Sequence, residues 1–537
     1  MTASAPTAPD APFRRFSHRE IMVIFSGLML GLFLAAIDGT MVSVALPTIV
    51  GELGGLDQLS WVVTAYLLTS TVTVPLYGKV SDLYGRRIVF QAAILVYLAG
   101  TVLIALSQNM GQLIAFRGIQ GLGGGGLMAM AFIIVGDIVP PRERGRYMAY
   151  FSGVWAFASV AGPLLGGFLV DSVSWRGIFL VKVPFAIAAL VVTSRVLHLP
   201  VRHERRRIDV EGAGLLVAGV SCLLLVAVWG GNEYPWGSPT IIGLAGAGLL
   251  LSTLFVAWEA RVAEPIIPLR LFRIPVFRVC IVLSLLVGSA MFGAMTFLPL
   301  FLQAVTGASA TESGLLMTPL MAGITIASVV AGRTISRTGR YRVWPIAGMA
   351  AVVVALALLS RLDSTATGLS VAPLIALLGA GVGMAMPVLS VAIQNAVPYR
   401  DMGAATSAGN FFRTMGGTLG VAVFGAVLTA RLHSELARLL PAGAGGLDLE
   451  VIANSPEQIR ALPAPVADAV VEALARGVTG VFLAALPVAV LGLVAAFFLR
   501  EIPLRETVET AAPETAPVAP EEPALSPVPT SPSTPAR

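Results

Sequence analysis

Fourteen stretches of this chain each run for roughly 18–25 mostly apolar residues, enough helix to cross the hydrocarbon core of a bilayer. No other property restricts the fold so severely. Inside lipid every backbone polar group must be bonded within its own segment or in a closed barrel, and runs of this length satisfy that as helices. They lie near residues 21–46, 60–77, 88–106, 112–136, 147–170, 178–198, 211–230, 239–258, 277–303, 313–334, 343–360, 369–395, 403–430 and 477–499. Composition agrees: 56% of the 537 residues are hydrophobic and 12% charged, more apolar residue than a soluble core buries. The expected class is an all-α polytopic membrane protein.

The loops give the orientation. Lys79, Arg86 and Arg87, then Arg142, Arg144 and Arg146, Arg202 to Arg207, Arg261 to Arg278 and Arg333 to Arg342 follow even-numbered spans, while Glu52, Asp57, Asp171, Glu233 and Glu312 follow odd-numbered ones. Basic loops stay on the cytoplasmic side, so both termini are expected there. The net charge of +5 therefore belongs to topology, and a nucleic-acid partner is not expected. Cys222 and Cys280 both sit in apolar runs and read as packing residues, and no metal site or cofactor is expected.

The chain repeats itself. GKVSDLYGRR (78–87), after span 2, returns as GRTISRTGRY (332–341) after span 10, and VPPRERG (139–145) is echoed by VPYRDMG (397–403). Spans 1–6 thus correspond to spans 9–14, with two helices inserted between. The expected organisation is an N-terminal tail (1–20), a six-helix bundle (21–198), a linker with two inserted helices (199–276), a second six-helix bundle (277–499) and a disordered cytoplasmic tail (500–537) rich in Pro, Ala, Glu and Thr. Spans 13 and 14 are expected to project outward as a helical hairpin over 431–476. Two six-helix halves in parallel repeat are the plan of a secondary transporter, with its substrate site at the repeat interface.

Asp38 is the one ionisable group deep in span 1, where a buried charge costs at least about 2.5–3.5 kcal/mol on insertion scales. Arg117, near the outer end of span 4, lies at similar depth. A static pair fixing helix packing and a proton-handling pair are both open from the residues; the cost of intramembrane charge favours the second. RGIQGLGGGG (117–126) matches a dinucleotide fingerprint literally, but no strand precedes it, so its glycines read as close helix contact. In GKVSDLYGRR, Gly78 and Gly85 permit a tight turn and Asp82 can cap a helix, with Lys79, Arg86 and Arg87 at the lipid surface. Gly162, Pro163 and Gly166 in span 5 give close contact and a bend. Lys182, near the outer end of span 6, is expected to snorkel to the interface rather than face a cavity. Arg413, at mid-depth in span 13, is expected to pair with a carbonyl or polar neighbour, in a structural or a substrate-facing role. Trp61, Tyr66, Gln120, Phe292 and Phe297 complete the expected cavity wall.

AIDGTMVSVALP (36–47), GKVSDLYGRR, RGIQGLGGGG, GPLLGG (162–167), WEARVAEPIIPLRLF (258–272) and NFFRTMGGTLG (410–420) together resemble the fourteen-helix drug:proton antiporter branch of the major facilitator superfamily. The resemblance spans helices 1 to 13. It implies an exporter rather than an enzyme, driven by the proton gradient, in the inner membrane of a bacterium, monomeric, with hydrophobic or amphipathic small molecules, protons and membrane lipids as partners. It implies that spans 1 and 4 line the cavity together, with Asp38 and Arg117 coupling the proton. It also implies that 78–87 ties the halves shut on the cytoplasmic side, and that GPLLGG marks an antiporter. In the second copy Ser336 stands where the first has Asp82, so only the first is expected to act as a latch. An exporter of lipids or lipid-like molecules is the alternative within the same fold, and a non-transporting sensor a more distant one.

Overall fold

A computed structural model describes residues 18–54, 58–197, 209–231, 233–307, 310–439 and 463–505. Residues 1–17 and 506–537 of the two terminal tails, the Arg202 to Arg207 cluster and the tip of the 431–476 hairpin lie outside the described residues. Residues 500–505, expected within the disordered tail, are instead tied to the bundle, the Tyr341 hydroxyl donating to the Arg500 carbonyl at 3.0 Å and the Arg505 N–H to Asn395 Oδ1 at 3.1 Å. All regular structure among the described residues is helical: α1 (His18–Leu53), α2 (Leu59–Tyr84), α3 (Arg86–Ala105), α4 (Met110–Ile138), α5 (Pro141–Ser172), α6 (Gly177–Leu180), α7 (Lys182–Val196), α8 (Val210–Trp229), α9 (Pro239–Glu259), α10 (Pro275–Ala304), α11 (Ala310–Leu316), α12 (Thr318–Thr338), α13 (Val343–Leu359), α14 (Gly368–Ala396), α15 (Met402–Leu439) and α16 (Ala464–Phe497), with short 3₁₀ turns at Leu269–Arg273 and Tyr399–Asp401.

Twelve of the described helical segments are long and apolar enough to cross a membrane, α6–α7 and α11–α12 each serving as one. The count of fourteen adds α2 and the shorter α13. The α2 helix is rich in Thr and Ser, and its hydroxyls return to their own helix: Thr69 donates to the Ala65 carbonyl at 2.8 Å and Thr73 to Thr69 at 2.8 Å. These two hydroxyls are thus satisfied within the helix, while that of Thr71 is buried without a partner among the described residues.

The helix contacts repeat along the chain. In the first set α1 packs on α5 and α7, α2 on α4, and α3 on α4 and α7. In the second, α10 packs on α15 and α16, α12 on α14, and α13 on α14 and α16. Replacing α1, α2, α3, α4, α5 and α7 by α10, α12, α13, α14, α15 and α16 carries one set onto the other. The two main contacts between sets, α2 with α15 and α5 with α12, exchange under the same replacement, so the interface is two-fold in its logic. The pair α8–α9 packs on itself and reaches α2 and α15 through α8.

Small residues permit these approaches. A Cβ on Gly123 of α4 would overlap the Tyr97 backbone nitrogen and lie 2.7 Å from the Ala93 carbonyl, both on α3. One on Gly125 would overlap the Ser70 carbonyl of α2. The glycine run of α4 therefore seats one neighbour on each side, as close packing in a bilayer requires. Gly153 of α5 has open space around it. Gly123→Ala should destabilise the purified protein by about 1–3 kcal/mol through overpacking, while Gly153→Ala should leave it unchanged or stabilise it by about 0.5–1 kcal/mol. Thermal unfolding in detergent separates the two, and equal melting temperatures for both variants would contradict this packing.

Candidate functional site

Five helices converge on Asp38. The α1 helix carries it, 0% exposed. Arg117 of α4 donates from Nη1 to Asp38 Oδ2 at 2.6 Å, and from Nε to the Val62 carbonyl of α2 at 3.1 Å. Gln120, one turn along α4, donates from Nε2 to Asp38 Oδ1 at 3.1 Å and to Thr101 of α3 at 2.9 Å, and accepts from Arg117 at 2.7 Å. The Tyr97 hydroxyl of α3 donates to the Leu34 carbonyl at 2.9 Å and lies 3.4 Å from Asp38 Oδ1. The fifth contribution corrects an expectation. Lys182, the first residue of α7, does not snorkel outward; it is 1% exposed and its Nζ is bonded to Asp38 Oδ1. The α1 and α7 helices pack together, which brings the carboxylate within reach of the lysine stem. A counter-ion at that distance outweighs the stretch to the interface.

One carboxylate thus stands between two cations, all three side chains buried. Aromatic faces take up part of the excess positive charge: the Arg117 guanidinium lies 4.4 Å from the Tyr66 ring centroid and Lys182 Nζ 4.8 Å from that of Phe179. Tyr66 and Gln120, expected at a cavity wall, belong instead to this buried cluster.

A second network lies at the end of the bundle that carries the arginine-rich loops. Asp82, near the end of α2, pairs with Arg86 at 2.5 Å, and Arg86 Nε reaches Asp137 at the end of α4 at 2.7 Å. Asp82 Oδ2 also accepts from the Ala404 backbone N–H at 3.3 Å, so the carboxylate sits on the free amides and positive dipole end of α15. Glycine stands on one side of each close approach here: a Cβ on Gly78 would overlap Ser407 of α15, and one on Gly403 would overlap Asp82. Gly85, at φ 91°, turns the chain from α2 into α3 in a conformation that favours glycine. Arg87 turns away and donates to the Ser194 carbonyl at 2.5 Å.

The two-fold related contact is also tied, contrary to the expectation drawn from Ser336. Arg142, at the start of α5, donates from Nε to the Ser336 carbonyl at 3.1 Å, near the end of α12. An acid on helix amides at one contact is matched by a base on helix carbonyls at the other, and both suit the dipole. Backbones again meet closely: a Cβ on Gly145 would lie 2.9 Å from Gly332 Cα. Arg270 to Asp401 at 2.8 Å adds a third tie, from the linker to the start of α15.

Beyond these ties a cavity lies between the two sets of helices. Its wall includes Phe132, Phe151, Trp155, Phe292, Arg413 and five methionines besides Met386. Phe292 is there as expected. Trp61 is not: it packs on Trp229 of α8, ring centroids 5.0 Å apart, because α2 turns that face toward the inserted pair. Phe297, 5% exposed, is core packing of α10. Arg413 lines the cavity over the Phe132 ring, 5.4 Å from its centroid, and among the described residues nothing accepts a hydrogen bond from it, against the expectation of a carbonyl or polar partner. The methionine wall had one signal in the sequence: Met residues near the middle of spans 4, 9 and 12. Gly162 and Gly166 of α5 meet α1, the former against Thr40 and the latter with a notional Cβ 3.3 Å from Met41 Cα. Pro163 stands inside α5 with no N–H to continue the ladder.

The charge cluster has a thermodynamic signature. Asp38→Asn leaves two buried cations uncompensated and should cost about 3–5 kcal/mol of stability. Adding Lys182→Met should recover part of that loss, because a single cation then remains with Gln120 and the Val62 carbonyl. Thermal unfolding of the single and double variants measures the coupling, and strictly additive losses would contradict the shared-counter-ion geometry.

Comparison with known proteins agrees with this architecture. The family model of the Major Facilitator Superfamily matches residues 28–421. The chain is 41% identical over 503 residues to an "Uncharacterized MFS-type transporter" of Mycobacterium tuberculosis, covering 94% of this chain and 73% of that one. It is 38% identical over 426 residues to "Multidrug transporter protein MdtP" of Bacillus subtilis (79% and 78% covered) and 34% identical over 496 residues to "Multidrug resistance protein 3" of the same organism (90% and 96%). Among solved structures, a proton:xylose symporter, XylE, shares the fold with TM-score 0.58 at 14% identity, over 90% of this chain and 97% of that one. The sequence match, the all-helical architecture and the relatives together place this chain in the Major Facilitator Superfamily, as a polytopic membrane transporter.

Proposed function

We propose that this transporter is a proton-coupled antiporter that exports hydrophobic or amphipathic small molecules from a bacterial cell by alternating access, acting as a monomer in the inner membrane. The carrying observation is the wholly buried Asp38 carboxylate held between Arg117 and Lys182. Protonating Asp38 removes the charge that holds two cations together. The two cations, left on either side of a neutral carboxyl, then repel each other, which favours a different packing of the α1, α4 and α7 contacts. Proton binding and helix rearrangement are coupled in this way without any nucleotide.

The arginine-rich end is assigned to the cytoplasm, with both termini on that side. The Asp82, Arg142 and Arg270 ties then close the cytoplasmic side, with Gly78, Gly85, Arg86 and Arg87 shaping that gate. The α2–α15 and α5–α12 contacts are the surfaces that must part for the cavity to open inward. The halves 21–198 and 277–499 rock about them, with Gly162, Pro163 and Gly166 as the bend. The methionine-lined cavity suits apolar cargo of varied shape, since Met adapts its packing. The multidrug names of the Bacillus relatives favour the same cargo.

A lipid or lipid-like cargo is the second reading. One observation favours it: α15 and α16, 38 and 34 residues long, continue past the span of a bilayer as a helix pair packed through Leu432, Leu436, Val470 and Leu474. A projecting hairpin of this kind is a surface along which a long cargo can pass.

The test uses inverted membrane vesicles acidified inside and offered cationic, neutral and anionic fluorescent amphiphiles. Gradient-driven accumulation of at least one of them, lost in Asp38→Asn while the protein remains folded, is the expected result. Accumulation that persists in the variant places proton coupling elsewhere. If no amphiphile moves and a deletion strain shows altered envelope lipids, the lipid reading replaces the drug reading.

A further inference from the structure

Arg413 is a cation without a counter-ion. Its guanidinium lines the central cavity and also a narrow side pocket between α10, α14 and α15, with room for about one water-sized group, which meets the cavity at Met386 and Arg413. No acidic side chain lines either space. The cation–π contact with Phe132 is the one interaction the guanidinium makes among the described residues, and it leaves the N–H donors at the rim of the group free. One turn back on α15, Asn410 is 5% exposed, lines the same pocket, and its side-chain nitrogen has no hydrogen-bond partner. Ser284, Ser390 and Thr406 complete a polar wall.

Two unused donors, one of them charged, therefore face a small polar pocket that opens off a larger apolar one. Buried donors without acceptors are costly, and a structure keeps them where a ligand supplies the acceptor. A planar guanidinium matches a carboxylate by two parallel hydrogen bonds, a fit that an ammonium lacks.

We propose that Arg413 and Asn410 form an anion-recognition point, and that the preferred cargo is an amphipathic organic acid, its carboxylate on Arg413 where the side pocket meets the cavity, one oxygen turned toward Asn410, and its apolar body against the methionine and aromatic wall. This rests on the exporter reading above and gives it a substrate class. A cationic amphiphile of the same shape meets Arg413 with repulsion and leaves Asn410 unpaired, so the site discriminates by charge. A purely structural Arg413, pinning α15 to α4 through Phe132, would have no such preference.

The test compares two probes with one ring system, 1-pyrenebutyrate and a pyrenebutyl trimethylammonium, on purified protein by equilibrium dialysis and in the acidified inverted vesicles. Wild type should bind the acid at least roughly tenfold more tightly than the cation, the discrimination expected of a charge-assisted pair. Arg413→Gln should abolish that preference by weakening the acid alone, and Asn410→Ala should reduce it. Arg413→Lys, which keeps the charge but not the fork, should retain part of it and serves as the variant with native-like charge if the glutamine change proves unstable.

Equal binding of the two probes by wild type, binding of neither, or a preference unchanged in Arg413→Gln overturns the proposal. Selective binding without gradient-driven movement would retain the anion site and remove the exporter reading. Gradient-driven movement of both probes without selectivity would do the reverse.

Discussion

A carboxylate taken out of water must find its neutralising charge within reach, and Asp38 finds two. That arrangement constrains every helix around it. The α1 helix must approach α4 for Arg117 and α7 for Lys182, while α3 supplies Tyr97 and Thr101 to hold the remaining donors in register. The glycine run of α4 follows from the same demand, since Arg117 and Gln120 reach inward only if α4 can lie against α2 and α3 at backbone distance. With all partners charged the cluster carries net positive charge in a buried place, which the Tyr66 and Phe179 rings relieve only in part. Such a cluster is strongly bound as it stands and strongly repelled once the acid is neutralised, the property a proton-driven switch requires.

The ties between the two sets of helices are built differently. Asp82 on the start of α15 and Arg142 on the end of α12 join a side chain to a helix terminus, where unpaired amides or carbonyls and the dipole favour the contact. Each is a few hydrogen bonds at the edge of the protein, with no large side chains interlocked, because Gly78, Gly145, Gly332 and Gly403 leave the helices smooth where they meet. Contacts of this kind can separate and re-form without repacking a core. The two-fold relation between them places one such tie on each of the two main contacts between the sets.

The sequence carried much of this. The apolar runs placed the spans because length and hydropathy are local properties, and the recurrence of GKVSDLYGRR as GRTISRTGRY disclosed the repeat before any contact was known. Asp38 and Arg117 were legible as a site because an intramembrane charge is expensive and their depths along α1 and α4 agree. Asp82 was legible as a cap from its place at a glycine-bounded turn. The substitution of Ser336 for the acid misled, since the tie there comes from Arg142 on the opposing helix and uses only the backbone carbonyl of Ser336.

Depth along a helix axis is set by the sequence; direction around it is set by the neighbours. In a helix surrounded by lipid and by other apolar helices, every face is apolar and the pattern has no phase to say which side points inward. Lys182 was therefore placed near the beginning of its span, where the helix has it, and assigned the wrong direction, Trp61 was given a cavity and found Trp229, and Arg413 was given a partner that the packing does not supply. Spans, repeat and buried acid were determined by the chain itself. Which cations surround the acid, and which cation faces the cavity alone, was decided only when the helices packed and fixed their rotation.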